Sequence, residues 1–137
     1  MIGKTMQVDV VSPEKLLFSS EAISVEIPGA DGDMTAMANH APLITTLRPG
    51  VLRVVQEKDT SEYVVTGGFA ELGQGVSVLA EKAVLKADFD KKMFDELVAA
   101  AEESFEAAKA NMTGGAVDMA AKFLSDFNIL GETLGFK

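Results

Sequence analysis

The chain changes character near residue 86, and that switch limits its fold more than any other feature. All four prolines precede it, while beyond it Ala, Glu, Lys, Phe and Leu recur at helical spacing with no proline. In the first part, MQVDVV alternates Met6, Val8 and Val10 against Gln7 and Asp9, the period-two pattern of a strand with one buried face. AISVEI repeats it with Ile23, Val25 and Ile27, and the following Pro-Gly is expected to stop the strand. VLRVVQ and EYVVTG flank EKDTS, which reads as a hairpin turn, and GVSVLAEKAVL supplies a late strand. Since no helix separates these segments, the sheets are expected to be mostly antiparallel, in a sandwich or a flattened barrel.

In the second part, Asp88 can cap a helix whose apolar stripe runs through Phe89, Met93, Leu97, Ala101, Phe105 and Ala108. NMTGG, residues 111–115, breaks that helix, because glycine pairs are unfavourable in a helix interior. Val117, Ala120, Ala121, Leu124 and Phe127 then resume the period, so two amphipathic helices joined by a short break are predicted to form an antiparallel hairpin. Past Asn128, ILGETLGFK holds two glycines and is expected to fray. The predicted division is a β-sandwich over 1–86 and a helical hairpin over 87–137.

Composition narrows the function. With 47% hydrophobic residues in 137, the chain can bury a real core, but it has no cysteine, so disulfides, thiolate metal sites and thiol nucleophiles are excluded. A net charge of −9, from 21 acids against 12 bases, argues against nucleic acid and against direct binding to anionic lipid. No run approaches the roughly 20 apolar residues of a membrane-spanning helix. The N-terminus MIGKTMQVDV lacks the apolar core of a secretory signal.

Candidate catalytic groups are sparse. There is no G-x-S-x-G elbow, and a lone histidine, His40, makes a poor metal site. GADGDM opens like a calcium loop but lacks the later acidic positions, so it reads as a solvated Asp-Gly turn. TGGFAELGQG has neither a P-loop nor G-x-G-x-x-G; Gly67 and Gly68 read as a strand bend where a side chain would crowd the backbone. Glu102 and Glu103 belong on a solvated helix face. His40 reads as a structural or interface residue on a turn, with no catalytic residue, cofactor or metal expected.

Taken in order, DVVSPEKLLFSSEAISVEIPGADGD, NHAPLITTLRPG and VTGGFAELGQGVSVLAEKAV, followed by two Ala-rich helices, resemble the epsilon subunit of F-type ATP synthases from about Met6 to the second helix. The resemblance implies a sandwich of about ten short strands followed by a two-helix hairpin. It also implies a non-catalytic place in the central stalk of a proton-translocating enzyme, where the chain joins the gamma subunit to the ring of c subunits. Its location would be peripheral, on the cytoplasmic face of the bacterial inner membrane, with membrane association only through the complex.

By the same resemblance, Gly29, Asp31, Gly32, Asp33 and His40 would meet the c-ring, and Ser12 and Thr45 would meet gamma. The family usually has Gly before this histidine; Asn39 replaces it here, and Asn is the non-Gly residue that best tolerates positive φ. Some members bind ATP through Ile/Leu-Asp-x-x-Arg-Ala at the start of the first helix. Phe89-Asp90-Lys91-Lys92-Met93-Phe94 stands there, leaving Asp90 as the nucleotide-binding candidate, with Lys91 or Lys92 as partial substitutes for the arginine that Met93 replaces. In some members the terminal helix reaches the alpha/beta catalytic head and inhibits hydrolysis with basic residues; Lys122 against Asp118 and Asp126 is the wrong charge for that grip. A regulatory inhibitor hinged at NMTGG and a stand-alone β-sandwich ligand-binding module are the alternatives.

Overall fold

The structure is a computed structural model that describes residues 4–111 and 114–136. It divides between Asp88 and Phe89 into two compact units. The first unit holds ten strands: β1 (Met6–Val11), β2 (Leu16–Ala22), β3 (Ser24–Gly29), β4 (Gly32–Met37), β5 (Leu43–Thr46), β6 (Gly50–Val55), β7 (Thr60–Val65), β8 (Gly68–Leu72), β9 (Val76–Ala80) and β10 (Ala83–Leu85). They form two five-stranded sheets, ordered β2-β1-β9-β8-β5 (sheet A) and β10-β7-β6-β3-β4 (sheet B). Every pairing is antiparallel except β1 with β9.

The inward residues of both sheets make one aliphatic core. Val8, Val10 and Val78 from sheet A and Val25, Leu52, Val54 and Val65 from sheet B are wholly buried. Each contributes about 1.5–3 kcal/mol of burial, which is the physical reason for the strict alternation along the strands. Tyr63 joins this core, its hydroxyl donating to the Leu17 carbonyl at 3.4 Å. Burial pushes its phenol above the ordinary tyrosine value, opposed by a hydrogen bond with Ser61.

Two segments of this unit depart from the pattern expected of them, and a third conforms to it. The strand expected to stop at Pro-Gly instead runs through Pro28 to Gly29. The β6 ladder reaches only as far as Glu26, so the missing N–H of Pro28 breaks no bond on that side. GVSVLAEKAVL is two strands, since the chain leaves sheet A after Ala80 and enters sheet B at Ala83. Gly68 has φ +113, and a Cβ there would lie 2.0 Å from the Leu79 carbonyl oxygen, so the crowding expected at this pair is real.

The second unit holds α1 (Lys91–Ala110) and α2 (Gly114–Leu134). The N-cap is Asp90 and not Asp88: the Asp90 carboxylate accepts from the Met93 N–H at 2.8 Å, while Asp88 ends a short 3-10 turn. The buried stripe accordingly turns through Phe94 in place of Met93, which is 39% exposed. Asn111 closes α1, and Met112 and Thr113 of the expected break lie outside the described residues. Ala121, placed on the stripe by spacing, is exposed.

The expected fraying past Asn128 does not occur. α2 continues to Leu134 with Leu130 buried. A Cβ on Gly131 would sit 2.5 Å from the Phe94 ring, so this glycine admits an aromatic side chain against the helix backbone. The end is closed by the Phe136 N–H donating to Gly131 O at 2.8 Å and the Gly135 N–H to Glu132 O at 3.2 Å. Gly135 has φ +78, which makes this a Schellman motif. Its hydrophobic partner is Phe136, whose ring centroid lies 5.5 Å from that of Phe94 and 6.1 Å from that of Phe89. The start of α1 therefore lies beside the end of α2, as an antiparallel hairpin requires. No helix among the described residues is long and apolar enough to cross a membrane.

Candidate functional site

Strand register turns alternation into surfaces. On the outer face of sheet A, Leu16 pairs with Val11, Val11 with Leu79, Leu79 with Phe69, and Phe69 with Thr46. This makes an apolar row across the strands, with Leu16 60%, Leu79 45% and Phe69 41% exposed. The next row on the same face is Ser19, Asp9, Ser77, Glu71 and Ile44, polar but for its last member. A hydrophobic stripe bordered by polar groups suits a partner that covers it. The outer face of sheet B differs: Thr35, Glu26, Arg53 and Glu62 stand in register, Arg53 donating to Glu26 at 2.8 Å, with Lys86 3.6 Å from Glu62.

The β3–β4 connection forms a tip. Gly29 pairs with Gly32, leaving Ala30 and Asp31 as a two-residue turn. Gly32 has φ +138, and a Cβ on Gly29 would lie 2.8 Å from the Gly32 oxygen, so both glycines are required. Arg48, in the β5–β6 connection, grips the tip: its Nη1 donates to Gly29 O at 2.5 Å and its Nη2 pairs with the Asp33 carboxylate. The Arg48 N–H also donates to Pro28 O at 2.9 Å, and the Ala30 N–H to Thr46 O at 2.8 Å. Asp31 is exposed and has no hydrogen-bond or ion partner among the described residues.

Gly29, Asp31, Gly32 and Asp33 are thus brought together, but His40 is not with them. It follows Met37, at the far end of β4, roughly 17 Å from the tip at the usual strand rise. Asn39 takes φ +61, which answers the exchange for glycine, and His40 Nδ1 lies 2.6 Å from the Ala41 carbonyl. Ser12 follows Val11 at the end of β1; Thr45 precedes Thr46 in β5 but pairs with the buried Ala70, so its side chain takes the inward parity and stands outside the apolar row. Ser12 turns the chain into β2 through hydrogen bonds with Lys15, and Thr45 lies near Gly29, whose added Cβ would come within 3.5 Å of its hydroxyl.

At the start of α1, the Asp90 carboxylate is occupied by its helix cap, and Lys91 pairs with Asp95 at 2.8 Å. Lys122 pairs with Asp126 at 3.0 Å. No cluster of three metal-ligating side chains occurs among the described residues.

Sequence reasoning missed Arg48, Leu16, Phe69 and Leu79. The signal was present for the last two: in FAEL and VSVLA the buried Ala70, Leu72, Val76 and Val78 fix the core parity, leaving Phe69 and Leu79 pointing outward. Arg48 had no such signal, because only the fold brings it to Asp33.

A two-sheet sandwich of ten short strands with an exposed apolar row and an arginine-held tip, followed by a helical hairpin, defines the class of the chain's fold. Residues 5–86 match the family model for the ATP synthase, Delta/Epsilon chain, beta-sandwich domain. The chain belongs to this family, and along nearly its whole length it is similar to epsilon chains. The ATP synthase epsilon chain of Fuscovulum blasticum is 52% identical, over 98% of this chain and 100% of its own. That of Ruegeria sp. (strain TM1040) is 50% identical, over 95% and 96%. Among solved structures, the fold is shared with a chain of the Euglena gracilis mitochondrial ATP synthase OSCP/F1/c-ring assembly, at TM-score 0.71 and 20% identity, covering 98% of this chain and 84% of that one. A chain of the Tetrahymena thermophila mitochondrial ATP synthase central stalk and c-ring matches at TM-score 0.51 and 14% identity, over 69% and 72%.

Proposed function

We propose that this chain is a non-catalytic subunit of the central stalk of a proton-translocating ATP synthase, joining gamma to the c-ring so that ring rotation reaches the catalytic head. It would work peripherally, on the cytoplasmic face of the bacterial inner membrane. The observation that carries the reading is the apolar row Leu16, Val11, Leu79 and Phe69 on the sheet that contains the first strand. Gamma would cover this row and would also reach Ser12 and Thr45 at the end of the sheet. The tip, with Asp31 foremost, would meet the polar or basic loops of the ring. His40, at the other end of β4, would make a separate contact, since one flat partner surface cannot easily reach both.

The sandwich suits force transmission: two sheets packed face to face at near-crystalline density are hard to shear. At the start of α1 the Asp90 carboxylate caps the helix and Met93 carries no charge, which disfavours a phosphate grip there. Titration calorimetry of the full chain against purified gamma tests the reading. Saturable one-to-one binding with a negative heat-capacity change is expected from apolar burial; absence of binding would refute it.

A further inference from the structure

We propose that Arg48 is the positioning residue of the tip, a clamp whose guanidinium spans the mouth of the β3–β4 hairpin and ties it to the crossover between the two sheets. The inference rests on the reading that the tip meets the ring. Two hydrogen bonds already hold the β3 arm, the Ala30 N–H on Thr46 and the Arg48 N–H on Pro28, which together make the antiparallel bridge between Gly29 and Leu47. The β4 arm is held otherwise. β4 is the edge of sheet B, with β3 as its sole strand neighbour, so its outer end can peel away unless something beyond the hairpin holds it. Arg48 supplies that hold through Asp33, while its other nitrogen keeps Gly29.

The fork explains the residue type. A guanidinium presents two donors in a fixed plane and can serve a carbonyl and a carboxylate at once, whereas an ammonium is a point charge on a flexible stem. Arg48 is also well placed to carry load. It lies where the chain passes from β5 in sheet A to β6 in sheet B, so a push on the tip is delivered to both sheets. The clamp divides the two tip carboxylates by role: Asp33 is neutralised from within and holds the tip in shape, while Asp31 remains to meet a cationic side chain of the partner.

Amide hydrogen exchange on the full chain, paired with ATP-driven proton pumping by the reconstituted complex, tests this. In Arg48→Met and in Asp33→Asn, exchange at residues 30–34 should rise about tenfold while residues 76–80 stay at the wild-type rate, the size expected for one partly exposed charge-assisted hydrogen bond. Arg48→Lys should fall between. Pumping per ATP hydrolysed should drop several-fold in Arg48→Met with gamma binding intact. Unchanged exchange at 30–34, or an equal rise throughout the sandwich, would overturn the clamp. Asp31→Lys separates the two ideas: if it leaves pumping intact, the ring-facing reading fails while the exchange data still decide the role of Arg48.

Discussion

The two outer faces of the sandwich share an alternation rule and a core, yet one row on each carries opposite chemistry, although sheet B also turns Val51, Val64 and Val84 outward in register. Sheet A turns Leu16, Val11, Leu79 and Phe69 outward in one row, whereas sheet B turns Glu26, Arg53 and Glu62 outward in register. Folding does not ask for this difference, because the inward residues already supply the burial that holds the sheets together. Exposed Phe and Leu on a sheet face invite non-specific association, a liability that makes sense where a partner covers them. A paired charge ladder does the reverse and keeps its part of a face wet. The outward positions therefore carry the information about partners, and the inward ones the information about fold.

The sharpest way to break this contrast is to charge the apolar row. Phe69→Asp with Leu79→Asp should weaken gamma binding by about 100-fold or more, a loss near 3 kcal/mol as for central apolar anchors, with little change in the melting temperature of the isolated chain. Calorimetry and a thermal melt of the same sample decide it. Next in size is Gly131→Ala, which forces a Cβ into the Phe94 ring and should cost about 1–3 kcal/mol in chemical denaturation of the helical unit. Gamma affinity should not move, since the apolar row proposed to meet gamma lies in the other unit.

Asp31→Lys should lower affinity for the purified c-ring about tenfold at low salt, with the gap closing as salt is raised. The smallest effect is expected from Arg53→Ala on the opposite face: half-exposed ion pairs of this kind contribute about 0.2–1 kcal/mol, and binding to gamma and ring should match wild type. A larger loss of gamma binding there than in the Phe69 and Leu79 variant would invert the assignment of faces.

Much of the fold was legible because period-two and helical patterns are local. MQVDVV became β1 with the parity of Met6, Val8 and Val10, VLRVVQ became β6 with Arg53 marking its outward side, and the Gly67-Gly68 bend followed from backbone crowding. What was missed depended on contacts distant in sequence. Gly131 looked like a helix breaker until Phe94 arrived to fill the space a Cβ would take, and the closing Gly-Phe pair became a cap only because Phe136 stacks near Phe89 and Phe94. The tip was readable from PGADGD as a turn; its clamp was not, since 15 residues separate Asp33 from Arg48. The family resemblance groups His40 with the tip, whereas the six residues of β4 carry it away from Gly32.

If these surfaces transmit rotation, coupling measures it directly. Complexes depleted of this subunit, reconstituted in vesicles, should regain ATP-driven acidification per ATP hydrolysed when the wild-type chain is added, and should fail to regain it with the Phe69→Asp, Leu79→Asp variant. Full coupling without the chain, or equal restoration by that variant, would contradict the claim.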